Sequence, residues 1–209
     1  MPTVAQMSDQ ALLALVVGSP TIADNLLEEN RSLYDLFCAS SYLDDCRPNA
    51  VAEPSVPSGW SESRQKLNAA RELVRRGLEE GLQGRDCFSS PNAVRDYLRT
   101  TLAPLPHEVF YVLYLDTQHG LIASREEFRG TLSQTPVYPR EIVKRAIGYD
   151  AAAVLLAHNH PSGAAEPSHA DRGLTQQLKS ALALVDIRVL DHFIVAGNRI
   201  TSMAELGLI

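Results

Sequence analysis

The chain of 209 residues is poor in cysteine, in excess positive charge and in long apolar runs, and each shortage excludes something. Cys38, Cys46 and Cys87 are its three cysteines. They show neither a Cys-x-x-Cys spacing nor a disulfide pattern, so a disulfide scaffold is excluded and a reducing compartment is expected. Lys and Arg number 19 against 25 Asp and Glu, for a net charge of -6. That balance argues against a generic basic nucleic-acid coat, though not against a local patch. No apolar run approaches a membrane span. The opening Met1-Pro-Thr-Val-Ala-Gln6 lacks the basic and apolar regions of a signal peptide, so a cytoplasmic protein is expected. What is present is 45% hydrophobic, and the length suffices for one good core plus a small second unit.

The informative stretch is Ala151 to Asp171. An apolar run, Ala151 to Leu156, reads as a buried strand and leads into His158-Asn-His160-Pro-Ser-Gly163. Period-two geometry turns His158 and His160 to one face and Asn159 to the other. Pro161 to Gly163 reverses the chain. Pro167-Ser168 then reads as a helix start, with Ser168 as N-cap and Asp171 in the first turn, while His169 falls off the face of Asp171. Two imidazoles and a carboxylate converging on a strand end are the usual make-up of a catalytic zinc site with an open fourth position.

The pattern His158-x-His160, seven residues, Ser168, two residues, Asp171 resembles the JAB/JAMM (MPN) metallopeptidase motif at every spacing. Neighbouring segments narrow the resemblance to the bacterial RadC family: Phe128-Arg-Gly130-Thr-Leu132, Pro139-Arg-Glu-Ile-Val143-Lys-Arg145-Ala146, Ala157 to Gly163, and Leu190 to Val195. The similarity runs from about Ser90 to Ile209. It implies an MPN fold, His158, His160 and Asp171 as zinc ligands, and Ser168 as the oxyanion donor. Such a donor contributes about 3–4 kcal/mol where measured. The implied activity is zinc-dependent hydrolysis of a peptide or isopeptide bond by a metal-activated water, with a protein or peptide as substrate. The alternative is a non-enzymatic, metal-stabilised interaction module attached to DNA repair or replication. A zinc deaminase is excluded by the lack of His-x-Glu and Pro-Cys-x-x-Cys segments.

The general base is the point of departure. The resemblance places a glutamate three residues before Phe128, where this chain has Arg125, followed by Glu126 and Glu127. In a regular strand Glu127 shares the face of Arg125 and Glu126 points away, whereas a bulge between Ala123 and Phe128 would turn Glu126 inward. Glu126 is the favoured base as the smaller displacement, and Glu127 stays open. Asp191-His192 reads either as support for the ligands or as a structural strand start.

Around this centre the expected organisation is a helical N-terminal domain over 1–85 and an α/β (α+β) MPN/JAB-like metallo-domain over 90–209. Short helices are read at Ala11 to Val17, Ile22 to Leu27 and Leu33 to Phe37, a Pro-rich loop over Tyr42 to Gly59, and a longer helix over Ser61 to Leu82. Leu67, Ala70, Leu73, Val74 and Leu78 trace its apolar stripe. The N-terminal region resembles a degenerate helix-hairpin-helix. Around Gly59 only one glycine of that motif's turn survives, and Arg71, Arg75 and Arg76 alternate with glutamates, so DNA binding there is weakly supported. Later elements are a helix from Pro91 to Leu98, strands from His107 to Leu115 and Leu121 to Phe128, a helix from Pro139 to Ile147, a helix from Ser168 to Leu184, a strand from Arg188 to Val195 and a short edge at Ile200-Thr201.

Overall fold

The computed structural model describes residues 4–29, 33, 36, 60–83, 86, 87, 89–130 and 137–209. Cα packing separates the chain into two units, 1–74 and 75–209. In the first, a short 3-10 turn precedes α1 (Asp9–Val17) and α2 (Pro20–Glu29). Ser8 caps α1 by accepting the Ala11 amide at 3.2 Å. Gly18 ends it at φ 81°, a conformation that glycine takes without a Cβ clash. Leu13, Val17, Ala23, Leu26, Leu36 and Leu67 form this unit's core. The helix read at Leu33 to Phe37 is described only at Leu33 and Leu36, both helical, and the loop read at 42–59 lies outside the described residues.

The long helix, α3 (Trp60–Leu82), carries a correction to the sequence reading. Leu67 is buried and Leu78 packs on a core, but Leu73 and Val74 are 69% and 57% exposed. Leu73 lies about 120° around the helix from Leu67. The first core takes only Leu67 from α3, so it stops short of Val74, two turns further along.

The second unit contains α4 (Pro91–Leu102), β1 (Val109–Leu115), β2 (Leu121–Arg129), α5 (Pro139–Gly148), β3 (Ala153–Asn159), α6 (His169–Ala183), β4 (Arg188–Ala196) and β5 (Arg199–Ser202). Its five strands form one sheet in the order β2-β1-β3-β4-β5. β3 and β4 run parallel through the α6 crossover, and the other pairs are antiparallel. Alternate residues sort into two cores. Tyr111, Leu113, Leu155 and Phe193 pack beneath Tyr97 and Leu98 of α4. Phe110, Val112, Leu156 and Val154 pack beneath Ile142 of α5 and Leu178 of α6. The central strands β1 and β3 are covered on both faces, which is why they read as continuous apolar runs rather than alternating ones. This is the mixed α+β domain expected, a sheet with helices on both faces, preceded by a helical region. Among the described residues no helix is long and apolar enough to cross a membrane.

Among the boundaries that differ from the sequence reading, three have a clear local reason. α4 continues to Leu102 because Leu102 is anchored in the core, and the Thr100 and Thr101 hydroxyls donate back to the Asp96 and Tyr97 carbonyls at 2.8 Å. β3 continues past Leu156 because Ala157, His158 and Asn159 keep pairing with Phe193, Ile194 and Val195. β1 starts at Val109 rather than His107. The Asn159 side chain accepts the Val109 amide at 2.8 Å and donates to the His107 carbonyl at 2.9 Å, holding the entry segment out of the ladder.

Candidate metal centre

Both histidines hang from the carboxyl end of β3, next to a parallel neighbour and before a crossover helix, the position where open α/β sheets bind ligands. His158 lies within the strand, not past it, and is 2% exposed. His160 is one step beyond, but its amide still donates to the Val195 carbonyl of β4 at 2.8 Å. The strand geometry therefore carries through, and the two imidazoles share a face as read from the sequence. The chain then turns at Gly163, φ 82°, whose carbonyl accepts from Arg199 Nη2 at 2.6 Å.

Asp171 arrives from the other side by helix capping. The Ser168 hydroxyl accepts the Asp171 amide at 3.1 Å, and Asp171 Oδ2 accepts the Ser168 amide at 2.7 Å, a reciprocal capping box at the start of α6. This orients Asp171 Oδ1 to 3.2 Å from His158 Nε2, while Oδ2 lies 3.7 Å from His160 Nε2. The two Nε2 atoms are 2.9 Å apart. One donor atom from each of the three residues lies within 4.8 Å of the others, the only such group among the described residues. Burial works to raise the Asp171 pKa. Its neighbours His158 and Ser168 overcome it, holding the carboxyl well below the usual range.

The far sides of both rings are committed. His160 Nδ1 lies 2.6 Å from the Ala164 carbonyl, which can only accept, so Nδ1 carries the proton and Nε2 presents a lone pair. His158 Nδ1 meets Nε2 of His192 at 2.8 Å, and His192 Nδ1 meets the Thr175 hydroxyl at 2.6 Å. Complete burial holds the His192 imidazole well below its ordinary pKa, in the neutral form. Two ring nitrogens and a carboxylate aimed at one point suit a cation, and the donor set fits zinc.

The Asp191-His192 pair lies inside β4 rather than at a strand start, and its two side chains split across the sheet. His192 faces the cluster, pairing with Leu156 in register. Asp191 faces away and is structural: its carboxylate accepts the amides of His192 and Ala204 at 2.6 and 2.9 Å and the Ser202 hydroxyl. Thr175 was missed in the sequence. Its one signal was the four-residue step from Asp171, which puts both on one helix face.

The structure brings together His158, His160, Asp171 and Ser168, but it does not bring Glu126 to them. β2 does bulge: Phe128 pairs with Phe110 and Glu126 with Tyr111, leaving Glu127 as the extra residue. The bulge falls after Glu126, so it does not turn that side chain. Glu126 opposes Tyr111 of the α4-side core, while His158 opposes Phe110 of the other core, and Glu126 pairs with Arg129 at 2.9 Å. Glu127 is on the cluster's side of the sheet but is committed elsewhere. Its carboxylate accepts the Tyr114 hydroxyl at 2.8 Å and ion-pairs with Arg145 at 2.8 Å. Burial raises its pKa against both partners. Arg125 donates to the Tyr149 hydroxyl at 2.9 Å, so its guanidinium is likewise engaged away from the histidines.

Comparison with known proteins matches residues 88–208 to the family model described as the RadC-like JAB domain. A UPF0758 protein of Polaromonas sp. is 53% identical over 205 residues, covering 98% of this chain and 91% of its own. UPF0758 proteins of Methylibium petroleiphilum and Leptothrix cholodnii are 50% and 49% identical with the same coverage.

Proposed function

The chain belongs to the RadC-like JAB domain family, and from that membership we propose that it is a zinc-binding, metal-stabilised interaction module. His158, His160 and Asp171 hold the ion. The commitment of both β2 glutamates carries the choice of module over hydrolase: Glu126 faces the other core and Glu127 is tied to Tyr114 and Arg145. Peptide or isopeptide hydrolysis needs a proton acceptor beside the cluster, and neither carboxylate supplies one. A bound zinc would supply Lewis acidity toward a partner's carbonyl. The resemblance casts Ser168 as the donor to such a carbonyl; in the fold its hydroxyl serves the α6 cap by accepting the Asp171 amide.

A protein or peptide partner suits the net charge of -6 better than duplex DNA, whose phosphates demand clustered positive charge. Arg75, one of the arginines that could have met phosphate, pairs instead with Glu79 at 2.9 Å. The attachment to DNA repair or replication therefore rests on the family resemblance, not on these residues. The cytoplasm is the compartment proposed from the cysteine pattern of the sequence. Cys87 itself is a buried free thiol whose pKa burial pushes up to about 11, so it is inert packing.

Two measurements test this reading. Metal analysis is expected to find about one zinc per chain, lost in His160→Ala. Equal zinc in both proteins would remove the ligand assignment. Zinc-loaded protein incubated with a peptide library, followed by mass spectrometry, is expected to leave the peptides intact. Turnover by the wild type that drops about 10²–10⁴-fold in Glu126→Gln or Glu127→Gln would replace the module with the hydrolase and name its base.

A further inference from the structure

The Thr175 hydroxyl sits where two ligand-bearing elements meet. On one side is the Asp171 carbonyl at 2.6 Å, one turn back on α6; on the other is His192 Nδ1 at 2.6 Å, on β4. Met203 Sδ lies at 3.7 Å. A hydroxyl has one proton to give. Both the carbonyl and the thioether can only accept, so whichever takes the proton, Thr175 must accept at its contact with His192. His192 Nδ1 is therefore the protonated nitrogen, and its Nε2 bears a lone pair. At 2.8 Å from that lone pair, His158 Nδ1 must in turn donate. A neutral His158 is then left with an unprotonated Nε2, the atom 3.2 Å from Asp171 Oδ1 and 2.9 Å from His160 Nε2.

We infer that Thr175 and His192 are positioning residues that set the tautomer of His158, so that its Nε2 lone pair is presented to the cation before the cation arrives. The inference deepens the metal-centre reading and rests on it. Thr175 is the origin of the relay because it is the only link whose direction is imposed from outside, by the α6 backbone. The same bond ties the helix that carries Asp171 to the strand that supports His158, so one side chain aligns ligands from two elements. Histidines that bind metals ordinarily donate their second N–H to a carboxylate, carbonyl or water. Here the acceptor is another imidazole, which works only if that imidazole is itself fixed in one tautomer. Thr175, His192 and His158 are all buried, so water does not compete for these bonds.

The test compares wild type, Thr175→Val and Thr175→Ser. Valine keeps the shape and removes the hydroxyl; serine keeps the hydroxyl. In competition titrations with a chromophoric zinc chelator, Thr175→Val is expected to lose about 10–100-fold in zinc affinity while Thr175→Ser stays within about threefold of wild type. Ring nitrogen NMR of metal-free protein provides a second reading: His158 is expected as the Nδ1–H tautomer in wild type and Thr175→Ser, and as a mixture in Thr175→Val. Unchanged affinity in a folded Thr175→Val, or an Nε2–H His158 in wild type, overturns the relay. If wild type takes up no zinc, the metal-centre reading fails instead. The tautomers alone then decide the relay, and they still do so if Thr175→Val does not fold, because the wild-type ring is read directly.

Discussion

Asp171 uses one carboxylate for two purposes, capping α6 through Oδ2 and facing His158 through Oδ1. Ser168 enters the same arrangement through both its amide and its hydroxyl, and the two contributions separate by mutation. Ser168→Ala removes the hydroxyl that accepts the Asp171 amide but keeps the backbone donor that orients the carboxylate. It should cost about 1 kcal/mol in chemical denaturation of the metal-free protein, the usual worth of an N-cap, with zinc content unchanged. Loss of zinc from a folded Ser168→Ala would mean that the hydroxyl places the ligand directly. At this scale the sequence was most legible where spacing is local. The i, i+2 histidines and the Ser-x-x-Asp cap follow from strand and helix periods, which hold whatever lies around them. Thr175 and His192 were not legible as a relay because their meeting depends on which strands are neighbours and in what register. Glu126 is the smaller displacement from the position of Arg125, but as the base it requires a bulge in β2 that turns it inward. The bulge is there, but its extra residue is Glu127, and no local spacing distinguishes the two.

Elements in the second unit are joined by polar contacts as well as by core. The carboxylate of Glu79, on the last turns of α3, accepts the Ser124 hydroxyl of β2 and the Tyr97 hydroxyl of α4 and pairs with Arg75. Tyr97 bonds on to Tyr111 at 3.0 Å. Burial works to raise the Glu79 pKa, but the contacts with Ser124, Arg75 and Tyr97 lower it below its ordinary 4.5. A carboxyl that holds its proton less tightly in the folded state adds stability that is complete above the unfolded value. That stability is lost as pH falls through the lower folded value. The urea midpoint of Glu79→Gln should therefore lie below that of wild type at pH 7, and the gap should close as pH falls below about 4.5. A gap that stayed constant down to pH 3 would show the contact to be one of shape rather than charge. The elements themselves were legible because each carries its own period and stop signals. Their ends moved wherever a tertiary bond intervened, as Asn159 does at the start of β1.

Every contact that builds the candidate metal centre, from Ala164 to Thr175 and from His158 to His192, lies within residues 75–209. That unit also holds both cores that flank the sheet, including Leu78 and Leu82 of α3, whereas the first unit's core draws on residues up to Leu67. Two separately cored units predict separable properties, because mutations or truncations that share no partners add nearly independently. A chain starting at Arg75 should consequently fold, bind about one zinc and keep the wild-type response to Thr175→Val. The measurement is the same chelator competition, run beside a denaturation curve for cooperativity. Zinc affinity unchanged in the truncated chain would place the ion's function wholly in the RadC-like half. A truncated chain that unfolds cooperatively yet has lost its zinc would show that the first unit contributes to the centre. The order of these outcomes matters for the interaction-module reading: only if the metal half stands alone can partner capture by each half be assigned to that half's own surface.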